Sequence, residues 1–150
     1  MGFSPSHAIL RLTTGAYIIN SGVSKLSLDE ERAAALQDMA ANAVPQVKQL
    51  PAATFGKALA ASEIALGSAL VLPFVPTKLA ALGLTAFGTG LVAVYAKTPG
   101  LTKADGVRPT QAGVAMAKDS WLAAIGFALL LDRKRRKVVK ASGPSRSKRP

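Results

Sequence analysis

The chain contains no cysteine, one histidine and one tryptophan among 150 residues. Without cysteine there is no disulfide framework, no thiolate nucleophile and no Cys-ligated zinc or iron–sulfur centre. A single imidazole, His7, cannot build a multi-histidine haem or zinc site, and near the N-terminus it reads as an interfacial or surface residue. Acidic residues are scarce too: eight Asp and Glu stand against nineteen Lys and Arg, for a net charge of +11. Such a balance can mark a nucleic-acid binder, but here it is very uneven. Nine of the basic residues lie beyond Asp132, in DRKRRKVVKASGPSRSKRP. The remainder is nearly neutral and strongly apolar. A basic tail on an apolar body is a pattern of membrane topology, so the expected partners are lipids and other membrane proteins, not nucleic acid.

Long apolar runs are what the chain has in quantity. Four stand out, at about 7–23, 53–72, 77–96 and 112–131. Each approaches the ~20 residues that cross a ~30 Å hydrocarbon layer as a helix. All are rich in Gly, Ala, Ser and Thr, which let membrane helices approach closely. A soluble core helix needs a polar stripe at period 3.6; Leu79 to Ala96 holds no charge and only Thr85 and Thr89 as polar breaks. The expected fold is therefore all-α: a polytopic membrane protein with a four-transmembrane-helix bundle over residues 1–132.

The connections suit that reading. Residues 28–42 predict a short helix outside the bilayer, with Ser27 and Glu30 at capping-box spacing. VPQVKQLP then reads as an extended re-entry between Pro45 and Pro51, and PFVP as a tight turn. KTPGLTKADGVRPTQ is a Pro- and Gly-punctuated loop. The basic run Arg133, Lys134, Arg135, Arg136 and Lys137 directly follows the last apolar run. It places the C-terminus in the cytoplasm and is suited to anionic headgroups. Four spans then put the N-terminus there too. Residues 133–150 read as a basic, disordered cytoplasmic tail.

Ionisable residues inside spans are costly and mark functional-site hypotheses. From Arg11, helical offsets give Gly15, Ile18, Gly22 and Lys25, so the arginine shares a small-residue face and points into the bundle. From Gly56 they give Ala60, Glu63, Gly67 and Leu70. An Arg11–Glu63 ion pair is expected between the first two spans. Asp119 shares a stripe with Ala123 and Gly126 on the last. A polar cluster of Arg11, Tyr17, Asn20, Glu63, Lys118 and Asp119 follows, either structural or a ligand, proton or quinone site. Gly15, Gly22, Gly56, Gly67 and Gly126 are the expected helix-packing glycines. Trp121 reads as bundle packing or lipid contact, and Tyr95 as an outer-interface marker.

These residues carry a resemblance. RLTTGAYIINSGVSKL, ASEIALGSALVLPFVPTKLAAL and AKDSWLAAIGFALLL make the chain resemble the DoxX-like proteins, small bacterial four-helix membrane proteins, over about 7–132. The outer DEER helix and the extended tail go beyond the family's minimal pattern. The resemblance implies a bacterial plasma-membrane location and makes Arg11, Glu63 and Asp119 the family-type polar positions. The family takes its name from a subunit associated with quinone-linked oxidation of sulfur compounds. The expected role is a non-catalytic accessory or scaffold subunit of a respiratory or other redox assembly. The alternative is a small transporter or binder of an apolar or quinone-like molecule at the Arg11/Glu63/Asp119 cluster. No catalytic constellation is visible, and no cofactor is expected to be held by this chain itself, though a quinone suits the alternative.

Overall fold

Proline and glycine set the helix boundaries. The computed structural model describes residues 5–132 and is helical throughout, with no strand among those residues. Helix α1 (Pro5–Lys25) begins on a proline, whose missing N–H falls where a helix has no use for one. Helix α2 (Glu30–Ala41) follows. Its N-cap is Asp29, which accepts from the Arg32 backbone N–H at 2.8 Å. The cap thus lies two residues beyond Ser27, because a carboxylate opposite a helix N-terminus outcompetes a hydroxyl for the free amides. Residues 45–49, read as extended from sequence, form a 3-10 helix (Pro45–Gln49). Buried Gln37 explains this: its Nε2 donates to the carbonyls of Val47 and Leu50, both at 2.8 Å, and draws the segment back against α2.

Helix α3 (Ala52–Val71) and helix α4 (Thr77–Lys97) are joined by the short turn through Pro73 and Pro76. Residues 98–111 form a loop with one isolated bridge, Thr102 to Pro109. Gly100 and Gly106 adopt φ of 83° and 72° there, a region open to glycine. The Tyr95 hydroxyl donates to the Val107 carbonyl at 2.9 Å, so this ring anchors the loop and is buried beneath it. The last apolar run is not one continuous helix. It divides into α5 (Val114–Ala117) and α6 (Ser120–Leu131). Between them the amides of Asp119, Trp121 and Leu122 bond three residues back instead of four, a tightened 3-10 step.

Packing is strongly pairwise. Helix α1 lies antiparallel against α3, and α4 against α6. Both seams are built on missing side chains. A Cβ on Gly67 would stand 2.7 Å from the Gly15 carbonyl oxygen, and one on Gly88 would stand 2.8 Å from the Ala123 Cα. The two backbones of each pair therefore touch, as small-residue membrane interfaces do. Gly56 serves a different contact from the other packing glycines: it receives Ala33 of α2, which crosses α3 there. Contacts between the two pairs are much sparser. They are joined by a core of Ile18, Leu70, Ala80, Ala81, Leu84, Leu122 and Leu129.

Two segments, Thr77–Lys97 and Val114–Leu131, are long and apolar enough to cross a membrane. Only 28% and 17% of their apolar windows are buried in the protein. A soluble core helix would be mostly buried, whereas these turn Leu79, Leu82, Trp121 and Phe127 outward.

Candidate functional site

Arg11 does not meet Glu63. Its Nε donates to the Leu70 carbonyl at 2.8 Å, its Nη2 to Ala69 and Leu72 carbonyls at 3.0 and 2.8 Å, and its Nη1 to Thr77 Oγ1 at 2.9 Å. The cause lies in the α3–α4 turn. The carbonyls of Ala69 and Leu72 would look four residues ahead for a donor, to Pro73 and Pro76, which have no N–H. The guanidinium supplies the missing donors and adds a cation at the negative end of α3. Its direction follows from helix geometry: side chains lean toward the N-terminus of their own helix, so Arg11 reaches away from Glu63. The expected ion pair is thus replaced by a cap.

The same lean brings another residue to the carboxylate. Lys25, at the far end of α1, folds back over Ser21 and places Nζ 2.9 Å from Glu63 Oε2. It also donates to the Ser21 hydroxyl at 2.6 Å and the Ser21 carbonyl at 3.3 Å. All three ammonium protons are then engaged. The Glu63 side chain is 5% exposed and that of Lys25 18%. Lys25 had been visible as the last residue of the Arg11 stripe. What singles it out is the backward lean, which carries a terminal lysine one turn deeper.

Glu63 and Lys25 open onto a cavity of about 380 Å³ between the two helix pairs. Helix α1 lends it Tyr17, Ser21 and Lys25, and α3 lends Phe55, Leu59 and Glu63. Helix α4 contributes Phe87 and Leu91, while Met116 and Asp119 come from the α5–α6 joint. One end is covered by the apolar side of α2 and the 3-10 helix, through Leu36, Met39 and Val47. Tyr17 lines the cavity yet is 57% exposed, so its ring stands at the mouth.

Of the six residues expected to cluster, the cavity gathers Tyr17, Glu63 and Asp119. Arg11 lies outside it, at the α3–α4 turn. Asn20 and Lys118 are exposed and line no part of it. Asp119 is half-buried and near enough to sense the charges of Lys25 and Glu63. Its carboxylate has no hydrogen bond or ion pair in the structure. Away from the cavity, His7 Nε2 and Asp132 Oδ2 meet at 2.5 Å and link the start of α1 to the end of α6. No group of three or more His, Asp or Glu able to hold a metal occurs among the described residues. No buried side-chain nitrogen or oxygen among them lacks a partner. The basic run Arg133–Lys137 lies outside the described residues.

The DoxX family model matches residues 6–97, which takes in α1 to α4 with both Arg11 and the Lys25–Glu63 pair. No curated protein matches the chain, and no solved structure does.

Proposed function

The chain belongs to the DoxX family of membrane proteins, and from that premise we propose that it crosses the bilayer four times and binds a small apolar molecule between its two helix pairs. The observation that carries this reading is the cavity: about 380 Å³, lined by aliphatic and aromatic side chains, with a few convergent polar groups. That is the usual make-up of a small-molecule site. Helices α1 and α3 span 21 and 20 residues, about 30 Å each. Arg11, Lys25 and Glu63 are satisfied inside the protein, while Lys57 stands exposed in the second turn of α3; on α1 the bilayer meets Ile9, Leu12 and Val23. A quinone-like ring is one shape that suits such a slot.

The second reading is a non-catalytic accessory subunit of a larger redox assembly in the bacterial plasma membrane, with both termini cytoplasmic. The outward apolar faces of α4 and α6 favour it, since they suit a partner helix as well as lipid. One experiment separates the two. The tagged protein is extracted from its native membrane in mild detergent, and co-eluting proteins and extracted small molecules are identified by mass spectrometry. One enriched apolar molecule near stoichiometry, lost when the cavity-lining Gly90 of α4 is enlarged in Gly90→Phe, supports the binder. Stoichiometric respiratory subunits and no such molecule overturn it in favour of the accessory role.

A further inference from the structure

The cavity's polar groups are unbalanced in sign. One cation and two carboxylates line it: Lys25, Glu63 and Asp119. Lys25 is already committed, its three protons going to Glu63 and to Ser21 twice. It has nothing left to offer a ligand. Glu63 gives one oxygen, Oε2, to Lys25, and its Oε1 receives no hydrogen bond. Both oxygens of Asp119 are equally without donors. Arg11 caps the α3–α4 turn and Lys118 is exposed, and neither lines the cavity. Three carboxylate oxygens of cavity-lining residues are therefore without a protein donor.

Aromatic rings share that space. Tyr17, Phe55 and Phe87 line the cavity along with the free carboxylate. Ring faces attract cations, and quaternary ammonium groups are recognised by rings in this way. A half-buried carboxylate among apolar side chains is stabilised by an incoming positive charge.

Resting on the reading of the cavity as a small-molecule site, we propose that its occupant is an apolar monocation, an aryl- or alkylammonium, with the charged head at Asp119 and the hydrocarbon body toward Phe55 and Phe87. An anionic ligand finds no free donor beside two carboxylates. A neutral ligand leaves Asp119 without a partner.

The test compares two probes of the same shape on the purified full chain in maltoside micelles. Benzyltrimethylammonium carries the charge, and neopentylbenzene is its neutral carbon isostere. Binding is followed by calorimetry, with protein-free micelle titrations subtracted. The expected result is at least tenfold tighter binding of the cation, with that preference lost in Asp119→Asn and kept in the exposed control Lys118→Gln. Equal or tighter binding of the neutral probe overturns the charge assignment while keeping the cavity as a site. Binding of neither probe overturns the site itself. A cation preference that persists in Asp119→Asn moves the charge elsewhere and overturns the assignment to that residue. Should Asp119→Asn not fold, the comparison of the two probes on the unsubstituted chain still decides the sign of the ligand.

Discussion

Lys25 and Glu63, 38 residues apart, meet at 2.9 Å across the seam between α1 and α3. The lysine enters from one end of its helix and the glutamate waits mid-way along the next. Breaking a buried pair on one side leaves an uncompensated charge, at about 3–5 kcal/mol. Lys25→Met should therefore lower the melting temperature in detergent sharply. The double replacement Lys25→Met with Glu63→Leu should recover most of that loss. Thermal unfolding of these two variants and of Glu63→Leu alone measures the coupling; equal loss in single and double variants would show that the pair contributes nothing beyond packing.

Arg11 has a different role and should respond differently. Its guanidinium caps three carbonyls of the α3–α4 turn and holds Thr77. Arg11→Ala strands those acceptors, each left buried group costing about 1–3 kcal/mol. Arg11→Lys offers one nitrogen in place of three and should rescue only in part. The damage should be local to residues 69–77, seen as faster amide exchange there in hydrogen–deuterium mass spectrometry, with the Lys25–Glu63 region unchanged.

The GTG of α4 supplies an internal control. A Cβ at Gly88 would strike the backbone of Leu122 and Ala123, whereas nothing lies within 4 Å of one at Gly90. Gly88→Ala should destabilise by about 1–3 kcal/mol through overpacking. Gly90→Ala should be neutral or stabilise by up to about 1 kcal/mol, from helix propensity alone. Two substitutions of the same size, two residues apart, should thus differ in sign when unfolding is followed in the same detergent. Matching losses would mean that the α4–α6 seam is not a backbone contact.

The loop between α4 and α5 carries a pH dependence. Asp105 is held below its ordinary carboxylate range by the Arg108 side chain first, then by the amides of Val107 and Arg108. A depressed value stabilises the folded loop above the unfolded pKa, and that contribution fades as pH falls through the folded one. The Val107 and Arg108 amide resonances should titrate together with a midpoint below 3.8. In Asp105→Asn they should not move. The partners of Asp105 all lie within the loop, so the effect should stay there and leave the helix pairs intact.

The helices were readable because their signals are redundant. Apolar length, prolines at 45, 51, 73 and 76, and small-residue stripes all agree, and the ends of α1, α3 and α4 follow them. The pairing of charges was not readable from stripes alone. A stripe places a residue on a face but says nothing of whether its side chain leans toward or away from a partner. Arg11 and Lys25 share one stripe and lean the same way, yet only the lean of Lys25 is toward Glu63. The prolines at 73 and 76 did hold the clue to Arg11, since two missing donors demand a substitute. The break at Lys118–Asp119 did leave a local trace: Asp119 and Ser120 are weak helix formers of the kind that open a helix, but the apolar run continues across them and hides it. The covering of the cavity by α2 depends on Ala33 meeting Gly56, a long-range contact with no local trace.

The pairing of α1 with α3 and of α4 with α6 has a consequence for how the protein is made. Each pair is a stretch of consecutive chain, so the first hairpin is complete once Val71 has left the ribosome. Lys25 and Glu63 can neutralise one another at that stage, before any of the second hairpin exists. Arg11 finds its last acceptor, Thr77, only with the next few residues, which ties off the first hairpin just as the second begins. Biogenesis then proceeds in two halves, and the cavity comes into being last, when the finished halves close on one another.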